Sequence, residues 1–172
     1  MDFNTEENRQ VLIDAFPNLA KDPHFELLSE ATNVYNCIAW AMGFNDRWVD
    51  HLEYPGHWWP NNVQRDNSLQ ALIDAFVAEG FEQVEGKCFE EGFEKVALYK
   101  KDNSWTHAAR IVGENIEYSK FGSFCDGKHS GNIFCGSGYG EEYAYLRRAI
   151  EKKPSQEKTK GEILLHLENL KL

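Results

Sequence analysis

The chain has no apolar run long enough to span a bilayer, so no transmembrane helix is expected. It also lacks the basic start and apolar core of an export signal. Its opening, "MDFNTEENRQ", directs nothing to Sec export, and the expected location is the cytosol, with delivery by a dedicated secretion system as the other route. Positive charge is scarce: 18 Lys and Arg stand against 28 Asp and Glu, a formal net charge of -10. Nucleic acids and anionic membrane surfaces are both gripped by basic patches, so neither is expected as a partner. No Cys-x-x-Cys pair occurs. The four cysteines, Cys37, Cys88, Cys125 and Cys135, show no disulfide framework and are expected to be reduced. There is no internal repeat. "GSGYGEEY", from Gly136 to Tyr143, lacks the Lys and the following helix of a phosphate loop and reads as a turn into a strand.

What is present suffices for one domain with its own core. A length of 172 residues, 42% apolar and 13% aromatic, needs no metal or staple to fold. Residues 1–150 form the expected domain. Residues 151–172 divide into a solvated linker, "EKKPSQEKTKGE", and a C-terminal helix with Ile163, Leu164, Leu167 and Leu170 on one face. Near the N-terminus, "TEENRQVLIDAF" reads as a helix opened by Asn4 or Thr5 and ended before Pro17. "NSLQALIDAFVAEGF" is a second helix: Asn67 or Ser68 caps it, Leu69, Leu72, Ile73 and Phe76 form the buried stripe, and Gly80 stops it. Four strand patterns follow, "EKVALYKK", "WTHAARIV", "NIEYSKFG" and "EEYAYLRRAI", and read as an antiparallel meander. "GEN" suits a three-residue hairpin loop, with Asn115 tolerating a left-handed conformation. Helices first and strands after give an α+β fold.

The stretch "VYNCIAWAMG" carries the chemistry. With Asn36 as N-cap, Cys37 becomes the first residue of a short helix that Gly43 closes. The positive end of a helix favours thiolate over thiol, and free backbone N–H groups there can hold an oxyanion. The alternative is a small hydrophobe in an apolar helix, since free Cys is among the most buried residue types. A thiolate nucleophile needs an imidazole, and His107 is the histidine inside a predicted strand. If Val112 faces Ile116 across the loop, His107 lies opposite Phe121 and Ser119 is its diagonal neighbour, where an orienting group belongs. A strand histidine is otherwise a hydrogen-bonded structural residue, and Ser119 a solvent-facing one.

The run "YNCIAWA", an aromatic residue two before the cysteine and Asn immediately before it, resembles the nucleophile motif of the NlpC-type amidases and endopeptidases and of the cysteine, histidine-dependent amidohydrolases. "KVALY", "THAAR", "SKFG", and "YG" followed by "YLRR" resemble, together with that run, an uncharacterised bacterial domain family associated with the same superfamily, over residues 18–148. The resemblance implies a papain-like fold in which the cysteine opens a helix packed on an antiparallel sheet. It also implies a histidine on a following strand and a third polar residue about twelve positions later, here Ser119. Two positions depart from the pattern. Ser119 replaces the usual His, Asn, Gln or Asp, which leaves Lys120 and His129 as further candidates, and Ile38 replaces the common Ser or Thr.

The implied activity is amide hydrolysis or acyl transfer on an amide, peptide or protein substrate, with Cys37, His107 and Ser119 as catalytic residues. Tyr35, Asn36, Trp58 and Trp59 are candidate substrate contacts, the tryptophans on a long segment, Asn45 to Asp66, that reads either as a pocket wall or as cover for the core. The other reading is a papain-like scaffold without catalysis that binds a partner in an immunity or regulatory role. Cys88, Cys125, His129 and Cys135 are a weak zinc set, since "CDGKHSGNIFC" reads as a plain loop; His51 and His57 have no further ligand at a familiar spacing. Neither metal nor other cofactor is expected.

Overall fold

The computed structural model describes residues 2–151. The C-terminal linker beyond Glu151 and the helix expected within residues 161–172 lie outside them. The fold is α+β. One seven-stranded antiparallel sheet has the order β1-β8-β7-β6-β5-β9-β4, built from β1 (Glu26–Leu27), β4 (Glu82–Val84), β5 (Phe93–Lys101), β6 (Ser104–Gly113), β7 (Ile116–Lys120), β8 (Asp126–Ser130) and β9 (Glu141–Ala149). A separate parallel pair joins β2 (Trp48–Val49) to β3 (His57–Trp58). The described residues also form three α-helices, α1 (Glu6–Ala15), α2 (Cys37–Met42) and α3 (Leu69–Ala78), and a 3-10 helix at Pro17–Lys21.

Each helix begins where its capping residue dictates. Thr5, Asn36 and Ser68 accept hydrogen bonds from the third residues beyond them, Asn8, Ala39 and Ala71, satisfying amides that the helix leaves free. Gly43 ends α2 at φ 95, a left-handed conformation that costs glycine little. The last carbonyls of α2 and α3 are served by one side chain. Arg148 donates to Met42 O at 2.9 Å and Glu79 O at 2.8 Å, so a sheet residue of β9 clamps both helix ends.

The sheet is covered on both faces, which is why β5 is buried continuously from Val96 to Tyr99 rather than at alternate positions. One core places Ile38, Ala39, Met42, Leu72 and Phe76 of α2 and α3 against Val96, Leu98, Ala108 and Leu146. The other places Leu12, Leu19 and Phe25 against Ala97, Tyr99, Ala109, Ile111, Phe121 and Phe134. Small residues at Ala39, Ala41 and Ala108 suit the close seat of α2 on β6.

Three expectations need correction. The meander runs β5-β6-β7-β8, and β9 is not its next member: it crosses to pair with β5 on the other side. "CDGKHSGNIFC" is not a plain loop, because Asp126–Ser130 forms β8, paired with both β7 and β1. The hairpin loop after β6 has two residues, Glu114 and Asn115: Gly113 pairs with Ile116 after an irregularity at Val112, and Asn115 takes φ 54. The long segment 45–66 is cover for the core. Trp59 is buried, donates to Gln64 O at 3.1 Å and stacks on Trp105, while Trp58 packs edge-on against Phe44.

Candidate functional site

Asn36 does more than cap. Its Oδ1 accepts from Ala39 N at 3.0 Å and Val49 N at 3.3 Å, and its Nδ2 donates to Val49 O at 2.7 Å. Every polar atom of this buried side chain is thus used in tying the start of α2 to β2. Asn36 is a structural residue at the site's edge. Tyr35 packs under Lys120, whose ammonium lies 5.2 Å from the ring centroid, and its hydroxyl donates to Asp126 at 3.4 Å.

Cys37 is half-buried as a residue, but its sulfur is enclosed by protein. Burial pushes the thiol up to about 11, against the pull of the Ala108, Ile38 and Cys37 amides and the positive charge of Lys120. This reverses the expected thiolate. A helix of six residues has a weak field at its end, and loss of water outweighs it. The Ala108 amide places the sulfur against β6, beside the position that carries His107.

His107, one residue before that amide, points its ring into the second core. It pairs with Tyr99 across β5 and meets Phe134 edge-on. Its ring lies flat on Tyr139, with centroids 3.9 Å apart and planes within 4°. Gly113, not Val112, faces Ile116, but past the irregularity at Val112 the pairs are the expected ones, Ile111 with Glu117 and Arg110 with Tyr118, which leads on to Ser119 as the diagonal neighbour of His107. His107 Nε2 is 2.8 Å from Ser119 Oγ. The same oxygen is 2.8 Å from Nε2 of His129 on β8, and His129 Nδ1 is 2.9 Å from Ser130 O. His107, Ser119 and His129 are fully buried. Burial, and then His129, pushes the His107 pKa well below the ordinary imidazole value, while burial pushes His129 down to about 4. Both rings are neutral at pH 7. His107 Nδ1 is buried without a hydrogen-bond partner among the described residues, so no hydrogen bond joins it to Cys37.

The other candidates fall out on geometry. Lys120 Nζ is spent on three carbonyl oxygens, of Thr32 at 2.9 Å, Gly122 at 2.7 Å and Phe124 at 2.5 Å, and is not the orienting residue. Trp58 and Trp59 belong to the packing of the first core, not to the surroundings of His107. Among the described residues no group of three or more His, Cys, Asp or Glu side chains could hold a metal ion. Also among them, no helix is long and apolar enough to cross a membrane. Tyr139 went unnoticed in the sequence: it lies in a turn that glycines bracket, and nothing local signals that its ring covers a histidine thirty-two positions away. Burial pushes the phenol pKa above its ordinary value, so the ring that covers His107 is a neutral phenol.

No curated protein and no solved structure matches the chain. Residues 26–147, from β1 into β9, match the family described as a domain of unknown function, DUF7689, and the chain belongs to that family.

Proposed function

We propose that the protein is a thiol-dependent amide hydrolase or acyl-transfer enzyme of papain-like type, with Cys37 as nucleophile and His107 as general base. One observation carries this reading. His107 has a fully buried ring nitrogen, Nδ1, left without a partner while its other nitrogen is tied to Ser119, on the residue that adjoins the amide facing the Cys37 sulfur. A buried polar atom without a partner costs about 1–3 kcal/mol, a cost that a proton-accepting role explains.

With the thiol pushed up and the imidazole pushed down, the resting pair is neutral. Deprotonation then belongs to the attack itself. As the sulfur bonds to the carbonyl carbon, the thiol proton passes to His107 Nδ1. The same proton goes on to the amine as the C–N bond breaks, leaving a thioester on Cys37. Water, or a second nucleophile, gives its proton to His107 as it bonds to the thioester carbon; the C–S bond then breaks and His107 returns the proton to the Cys37 sulfur, restoring the neutral pair. The test is incubation with short peptide amides and aryl amides, with the acyl group mapped by mass spectrometry. The reading expects turnover and an acyl group on Cys37, both lost in Cys37→Ala and His107→Ala.

A second reading, a scaffold of this type without catalysis, is favoured by the enclosure of the thiol and by the lack of a hydrogen bond between it and His107 Nδ1. It expects no acyl group on Cys37 with any amide, and labelling confined to the exposed Cys88 and Cys135.

A further inference from the structure

We infer, building on the Cys37 and His107 reading above, that His129 is a positioning residue: it sets the direction of protons along a buried relay and so keeps His107 Nδ1 a bare acceptor. Ser119 cannot do this alone. A hydroxyl both donates and accepts, so a serine beside His107 tolerates either ring tautomer.

The ambiguity is removed from the far end. A carbonyl oxygen only accepts, so His129 Nδ1, 2.9 Å from Ser130 O, carries the ring proton. His129 is neutral at pH 7, which leaves its Nε2 as a lone pair. The single proton of the Ser119 hydroxyl is therefore donated to His129 across 2.8 Å. The Ser119 oxygen has only lone pairs left, and His107 Nε2, also at 2.8 Å, must donate to it. The one proton of neutral His107 is then on Nε2, and Nδ1 is bare. No step in this deduction uses Cys37.

The carbonyl that starts the relay is itself anchored. Asp22, ahead of β1, accepts the Ser130 amide at 2.7 Å and the Ser130 hydroxyl at 2.7 Å, and Ser130 also pairs with Ile116 across β8 and β7. The relay thus crosses from the segment after α1 through β8 and β7 to β6, all within the second core, where rings from Phe121, Phe134 and Tyr139 exclude water.

Ring-nitrogen NMR on the 15N-labelled full chain at pH 7 reads the tautomers directly, with no variant needed. The inference expects His107 protonated at Nε2 and His129 at Nδ1, each as a single form; the opposite tautomer at either ring overturns it. His129→Phe removes the acceptor, so the Ser119 hydroxyl becomes free to donate to His107, and an Nδ1-protonated form of His107 should appear. His129→Gln, whose side-chain carbonyl can accept the Ser119 proton, should restore the single form. An unchanged His107 tautomer in His129→Phe also overturns the inference. Alkylation of Cys37 by iodoacetamide is measured on the same proteins and should slow several-fold in His129→Phe, short of the roughly hundredfold that complete loss of a general base costs because only part of His107 changes tautomer, and recover in His129→Gln. If the tautomers move as stated while Cys37 alkylation does not, the relay stands and the thiol and imidazole reading falls.

Discussion

Lowering the pH from 7 to 4 protonates His129 in the unfolded chain well before it does so in the native protein. The ordinary imidazole value is 6.5, and burial holds His129 at about 4, partly offset by the Ser130 carbonyl and the charge of Asp22. Between those values the unfolded state binds more protons, so His129 contributes stability that is fully present above pH 6.5 and lost as pH falls toward 4. Two and a half units at about 1.4 kcal/mol each give about 3.5 kcal/mol in full, of which roughly 3 kcal/mol is lost by pH 4, where native His129 is half protonated. The total pH dependence hides this. Glu117, buried beside Lys87, is pushed up to about 7 and gives the opposite sign, binding its proton in the native state first and adding stability as pH falls toward the ordinary carboxylate range. Comparison with His129→Gln removes the Glu117 contribution, since it is common to both proteins. Urea denaturation at half-unit steps from pH 7 to 4 should show the wild type losing about 3 kcal/mol relative to the variant, most of it below pH 6. Parallel curves for the two proteins would refute the reasoning, because they would mean that His129 is protonated as easily in the native state as in the unfolded chain.

Three further outcomes follow from named contacts. Asn36→Ala should cost about 2–3 kcal/mol in urea denaturation, the N-cap together with the buried hydrogen bonds to Val49, and should weaken the seating of Cys37 on β6. Gly140→Ala would place a methyl 1.9 Å from Lys100 O at a φ of 83. The turn must therefore shift, with a thermal destabilisation worth at least about 2 kcal/mol and loss of the ring-current shift that Tyr139 imposes on His107. Lys87→Met removes the ammonium that lies 2.9 Å from Glu117 and also bridges Glu142. It should cost about 3 kcal/mol at pH 8 and less at pH 6, where Glu117 takes up a proton.

Local signals located the elements that make their own case. Ser68 caps an apolar stripe, so α3 was legible to within a residue, and the apolar, β-branched and aromatic residues of β5, β6 and β7, set between turn residues, showed their strand character. The meeting of His107 and Ser119 was legible too, because the strands count off from a short loop, and the irregularity at Val112 makes up for that loop being one residue shorter than expected. β8 was not. "DGKHS" has a glycine, two charged residues and no β-branched side chain, and it becomes a strand because β7 and β1 pair with it on either side. With β8 unseen, His129 stood near the site only in sequence, and the relay could not be drawn. The neighbour of β9 was hidden for the same kind of reason: sequence order suggests pairing with the preceding strand, while the free edge of β5 took it instead. The thiol went astray because a capped helix start is visible in sequence and the burial of a sulfur is not.

The central claim, that His107 takes the proton of Cys37, is tested most directly by the rate of Cys37 alkylation with iodoacetamide against pH, mapped by mass spectrometry in wild type and His107→Ala. The account predicts that wild-type Cys37 reacts at neutral pH and that His107→Ala slows it at least about a hundredfold. In the variant the rate should climb with pH toward the thiol's own value of about 11. Superimposable profiles in the two proteins, or Cys88 and Cys135 labelled while Cys37 stays untouched, would contradict it.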